Sequence, residues 1–282
     1  MIKVGFIDYF LDEWHANTAP KHLEEQSNGE VKVCFAYGET PSPKGVTSEQ
    51  WCEKMGVEHC ATIAEVIEKS DVIIVLAPDN CERKEDLCRE ALASGKPCFV
   101  DKPFGTDLAS AKRMFDIAEK SGTPCYTCSS LRYAQEYCTV DRAAIKSLVA
   151  MCPQNSYDNY ILHALEPAMM LMGEPAKRVS AVSTEDAFYS VTIEMQSGRH
   201  IVISSLNYDS PYMMNISIPT SNKLINCSYD FWIYHYKAMV VFFKTGVAPV
   251  SHKETLMIAA AREAGKKSLN ANGEWIAVDN NY

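Results

Sequence analysis

Residues 91–105 read ALASGKPCFVDKPFG. The apolar run PCFV is the length of a short strand buried on both faces. It follows a helical stretch closed by Ser94-Gly95 and leaves through Asp101, Lys102 and Pro103, whose ring fixes the exit. A helix feeding a wholly apolar strand is one half of a parallel crossover unit. The same grammar recurs outward from it. IKVGFI (2–7), EVKVCFAY (30–37) and DVIIVLAP (71–78) are strands before it, KPCFVDKP (96–103) is the fourth, and TPCYTCSS (123–130) is a short fifth. HLEEQS, AEVIEKS and KEDLCREALASGK supply helical stretches between them. DLASAKRMFDIAEKSG adds a helix with Leu108, Ala111, Met114, Phe115 and Ala118 on one face and Gly122 as its stop.

Beyond residue 126 the pattern changes. A helical region is expected over residues 134–151 and another over HALEPAMMLMG (163–173). RVSAVST, FYSVTIEMQ, RHIVISSLN, MNISIPT and KLINCSYD then alternate apolar and polar residues, with Ser197-Gly198 as a hairpin turn, which describes an antiparallel sheet. A helix over 253–268 ends near Asn272-Gly273, and EWIAV is a closing strand. The expected class is α/β: a Rossmann-like parallel sheet over 1–126 and an α+β domain over 127–282 carrying an open, mostly antiparallel sheet. The segment YDFWIYHYKAMVVFF (229–243) is too apolar for open solvent and reads as core, a subunit contact or a substrate wall.

Composition narrows the function classes. A chain of 282 residues with 47% hydrophobic and 22% charged residues is ordinary globular material, long enough for two domains. A net charge of -9 with dispersed Lys and Arg argues against nucleic acid and anionic membranes as partners. With no long apolar span and no basic leader, a soluble cytoplasmic protein is expected. The 11 cysteines are scattered and read as reduced thiols. Cys125 and Cys128 form a lone CxxC without a second ligand pair, so no metal site is expected.

In doubly wound sheets, ligands bind beyond the carboxyl ends of the strands. That points to residues 8–13, 37–40, 76–81 and 101–105. Lys102, at the carboxyl edge of its strand, is placed to polarise or deprotonate a substrate hydroxyl.

ALASGKPCFVDKP resembles the EAGKHVLVEKP segment of the Gfo/Idh/MocA family of glucose-fructose oxidoreductase, inositol dehydrogenase and their relatives. DVIIVLAP is similar to that family's third strand, HALEPAMMLMG to its HDIDLLRWLLG helix, and residues 242–278 to its C-terminal module. The resemblance implies a nicotinamide-dependent oxidoreductase of a sugar, cyclitol or similar polyol, using NAD or NADP. It implies Lys102 and His163 as catalytic residues, with Asn159 at the family's aspartate position, Asp158 beside it and Glu166 a helical turn on. His15, Arg132 and Tyr133 fall on its substrate side. Ile7, Asp8, Phe10, Leu11, Tyr37, Leu76, Pro78 and Asp101 fall on its cofactor side. It also implies a homo-oligomer formed through the C-terminal sheet.

One stretch departs from the pattern. Aligned with the family's VGVIGxGxxGxxHA, VGFIDYFLDEWHA puts Asp8, Phe10 and Glu13 at the three glycines. Bulk and negative charge then stand where a pyrophosphate lies. Two other readings follow: an acid–base enzyme of lyase, epimerase or hydrolase type that needs no dinucleotide, and a non-catalytic subunit.

Overall fold

The computed structural model describes residues 1–43, 45–228 and 230–282; Tyr229, the first residue of the aromatic segment, lies outside them. Elements run β1 (Ile2–Asp8), α1 (Trp14–Gln26), β2 (Val31–Gly38), α2 (Ser48–Met55), β3 (Glu58–His59), α3 (Ile63–Lys69), β4 (Val72–Val75), α4 (Cys81–Leu92), β5 (Cys98–Val100), α5 (Leu108–Ser121) and β6 (Cys125–Tyr126). There follow β7 (Ser147–Pro153), α6 (Tyr157–Tyr160), α7 (Leu162–Met172), β8 (Ala176–Ser183), β9 (Tyr189–Met195), β10 (His200–Leu206), β11 (Met213–Ile218), β12 (Ser221–Asn226), α8 (Phe231–Thr245), α9 (His252–Asn270) and β13 (Ile276–Ala277).

The described residues form two compact units: 1–128 with 233–252, and 129–232 with 253–282. The first holds a six-stranded parallel sheet in the order β3-β2-β1-β4-β5-β6. Its central strand β4 is buried at all four positions. Burying each of these Val and Ile side chains contributes about 1.5–3 kcal/mol before chain entropy is counted. Gly5 in β1 lets α3 approach closely, since a Cβ there would lie 2.2 Å from Ser70 Oγ and 2.4 Å from Val66 Cγ1. The sheet order reverses between β1 and β4, and this is the switch point at which such folds take ligands. Gly122, at φ 63°, ends α5 as expected. Residues 233–252 complete the same unit: Phe242 meets Tyr126 edge-on at 4.8 Å, His235 meets Phe99 at 5.6 Å, and Tyr236 stacks on His22 at 4.9 Å.

The second unit holds a seven-stranded sheet, β12-β11-β7-β10-β9-β8-β13, antiparallel except for the β7–β10 pair. The helical expectation over residues 134–151 is corrected. Short 3₁₀ turns occupy 130–144, and β7 begins at Ser147. Alanines at 143, 144 and 150 favour helix locally, but SLVAMCP pairs with β10 on one side and β11 on the other, and that pairing overrides propensity. The α/β class itself, a parallel Rossmann-like sheet plus a mostly antiparallel one, is as expected. No helix among the described residues is long and apolar enough to cross a membrane.

Candidate active site

The carboxyl edge of the first sheet carries a buried set of ionisable groups. Asp8 ends β1 and is 1% exposed. Its Oδ1 accepts hydrogen bonds from the N–H of Ala77 at 2.9 Å and of Tyr9 at 2.7 Å, so it bridges the ends of β1 and β4 at the switch point. Its Oδ2 is buried with no hydrogen-bond partner among the described residues. Burial, helped by the Asp101 charge and opposed by these N–H donors, raises the Asp8 carboxyl to about 7.

Glu13 caps α1. Its Oε2 accepts from the N–H of His15 at 2.8 Å, and its Oε1 from the N–H of Ala16. Burial and then the neighbouring Asp8 charge push this carboxyl up to about 8. His15 Nδ1 lies 3.1 Å from Asp101 Oδ2. Burial acts to raise Asp101, but His15 and the Lys102 and Lys84 charges outweigh it and hold the carboxyl well below the usual range.

Lys102 follows at the end of β5, 6% exposed, with a cis peptide to Pro103. Burial pulls its amine below the ordinary 10.5, and Lys84 adds to this against the charges of Asp101, Asp79 and Glu13. Lys84, fully buried on α4, donates to the carbonyls of Leu76 and, at 3.0 Å, of Asp101, tying β4 to β5. Ile7, Leu11 and Leu76 are 0%, 1% and 3% exposed, and Pro78 is also buried, so their side chains are core and only their backbone faces the strand ends. Phe10 and Tyr37 are half-buried, Phe10 against Tyr9 with ring centres 5.9 Å apart.

These carboxyls set a pH dependence. Asp8 and Glu13 hold their protons more tightly folded than unfolded, where 3.8 and 4.5 apply. The stability they contribute is therefore present at low pH and is lost as pH rises through about 7 and about 8. The melting temperature should fall between pH 5 and pH 8, and an Asp8→Asn/Glu13→Gln double variant should flatten that fall. Parallel curves for the two proteins would refute the assignment.

In the second unit, Ser129, Arg132, His163, Glu166 and Glu254 form one network. Glu166, 4% exposed on α7, accepts from the Ser129 N–H at 2.6 Å and from Arg132 at 2.8 Å. Arg132 also donates to Glu254 at 2.8 Å. Burial raises the Glu166 carboxyl to about 6 although Arg132 opposes it. His163 Nδ1 is hydrogen-bonded to Ser129 Oγ at 3.1 Å, and its ring lies 5.4 and 5.5 Å from those of Tyr160 and Tyr212. Asn159 is buried, while Asp158 pairs with Lys266; Tyr133 is half-buried, and its carbonyl accepts from Gln135.

Glu13 as a cap, Lys84, Ser129 and Glu254 were not legible as site members. Glu is a poor N-cap type by statistics, and the others reach their partners across long sequence separations. The CxxC thiols face different histidines, Cys125 with His252 at 3.6 Å and Cys128 with His235 at 3.8 Å. Burial pushes the Cys125 thiol up to about 12. Among the described residues no three His, Cys, Asp or Glu side chains converge as metal ligands.

Solved structures share this arrangement of a parallel sheet with a mostly antiparallel second sheet. Myo-inositol 2-dehydrogenase from Lactobacillus plantarum superposes with a TM-score of 0.81 over 99% of each chain at 12% identity. GenD2 from gentamicin A biosynthesis, solved with NAD, gives 0.78 over 99% of this chain and 96% of its own at 13% identity. Residues 23–128 match the family model described as oxidoreductase family, NAD-binding Rossmann fold. An inositol 2-dehydrogenase from Cereibacter sphaeroides is 33% identical over 67 residues, which is 24% of this chain and only 20% of the relative.

The family's dinucleotide can be tested against these side chains. A pyrophosphate needs bare N–H groups at the start of α1 and room after β1. Here the N–H groups of His15 and Ala16 are taken by Glu13, and Asp8 fills the end of β1. As folded, this loop does not fit the group.

Proposed function

We propose that this chain is an oxidoreductase of a small polyhydroxylated substrate, a sugar or cyclitol, in which Lys102 exchanges the proton of the reacting hydroxyl. The observation that carries the reading is a buried lysine at a strand's carboxyl edge. Its amine lies below the ordinary range, and Asp101 and His15 are paired beside it. The family match and the inositol dehydrogenase relative support the substrate class. His163 is proposed as a second proton-handling group, held through Nδ1 by Ser129 and exchanging protons at Nε2. Asn159, Asp158, Arg132, Tyr133, His15 and Glu166 are proposed to orient substrate or these two groups. NAD or NADP is the hydride partner the reading calls for. A homo-oligomer through the second sheet is part of it, supported by the exposed Val149, Val182, Leu206 and Leu224 on that sheet.

A second reading, acid–base chemistry without a dinucleotide, is favoured by the filled loop after β1. One experiment addresses both. A panel of cyclitols and aldoses is incubated with the protein, with NAD or NADP and with neither, while nicotinamide absorbance and substrate NMR are followed. Substrate-dependent nicotinamide reduction is the expected result. Conversion without dinucleotide would favour the second reading, and no conversion in any arm would sink both.

A further inference from the structure

The start of α1 is the natural anion site of this fold, because unpaired N–H groups and the helix dipole converge there. In this chain a carboxyl group already stands there, covalently attached. The Glu13 carboxyl accepts from the N–H groups of His15 and Ala16, with one oxygen on each, where a phosphate would otherwise bind. A second carboxyl stands behind it. Asp8 is buried at the switch point, held through Oδ1 by two N–H donors, and its Oδ2 has no hydrogen-bond partner among the described residues. The family-model match covers residues 23–128 and leaves this loop outside it.

We propose that Glu13 is a built-in occupant of the pyrophosphate site, which any nicotinamide dinucleotide must displace before the α1 terminus can receive it. The proposal rests on the oxidoreductase reading above. It differs from ordinary helix capping in what it demands of variants. Removing any N-cap side chain lowers stability, but only removal of a competitor raises affinity for the ligand it mimics.

NADH and NADPH are titrated into the unaltered protein and into Glu13→Ala, Glu13→Gln and Thr47→Ala, following tryptophan emission with equilibrium dialysis as a second measure. Trp14, half exposed, adjoins Glu13. Thr47 caps α2 in the same manner and controls for lost stability. Glu13→Ala should bind at least about tenfold more tightly than the unaltered protein, because the N–H groups of His15 and Ala16 are then open to the ligand. Glu13→Gln, which keeps the shape and one accepting oxygen, should show a smaller gain and serves if the alanine variant fails to fold. Thr47→Ala should bind like the unaltered protein. Binding of equal strength in all four would overturn the proposal and leave the oxidoreductase reading standing. Absence of binding in all four would overturn the proposal together with the nicotinamide part of that reading.

Discussion

Lys102→Met is expected to lower turnover on the chain's substrate by a factor on the order of 10² to 10⁴, the usual contribution of a positioned acid–base group. The fold should survive, because methionine matches the buried stem and Asp101 keeps His15 at 3.1 Å. Lys102→Arg separates charge from proton exchange. A guanidinium keeps the cation beside Asp101 but does not give up its proton near neutrality, so it should lose nearly as much turnover as methionine. The pH profile gives the sign. The amine lies below its ordinary 10.5, so the rate of hydroxyl deprotonation should rise with pH through that depressed value. Both variants should lose that limb. Turnover within a few-fold of the unaltered protein in both would remove Lys102 from the chemistry.

Glu166→Ala should destabilise the second unit by about 1–3 kcal/mol, because it removes one half of a buried ion pair and leaves a buried N–H without its acceptor. Arg132, whose side chain is 8% exposed, would keep only Glu254, and the Ser129 N–H would lose its acceptor. Ser129 also holds His163, so the loss should reach the imidazole. Urea denaturation measures the first effect and the His163 ring resonances the second. Glu166→Gln should be milder. Burial already lifts this carboxyl from 4.5 to about 6, so the protein carries part of the cost of ionising it as pH rises through that window, and glutamine removes that cost. A midpoint unchanged in Glu166→Ala would show that the network carries little stability.

Much of the first sheet was legible because parallel strands buried on both faces are continuous apolar runs. VIIV at 72–75 has no other comfortable place. The stop at Gly122 was equally plain, and it lies in the left-handed region at φ 63°. The start of α1 was not. The helix begins at Trp14, well before HLEEQS, and carries Pro20 inside it. β7 was hidden for a different reason: its partners lie more than fifty residues further on, and no local pattern announces a pairing of that range. The three residues replacing the loop glycines could be read directly. That one of them would turn back and satisfy the helix it precedes could not, since the statistics of capping point to other side chains. The Arg132–Glu254 pair, 122 residues apart, lay equally beyond any spacing argument.

The way the chain returns to its first unit bears on how the protein is made. Phe99 and Tyr126 are synthesised early, but the rings that meet them, His235 and Phe242, follow only after about a hundred intervening residues. At ordinary elongation rates that is a delay on the order of ten seconds. Throughout it, Phe99 and Tyr126 lack the rings that cover them in the folded unit. The amino-terminal unit is thus completed only after most of the second unit has been made.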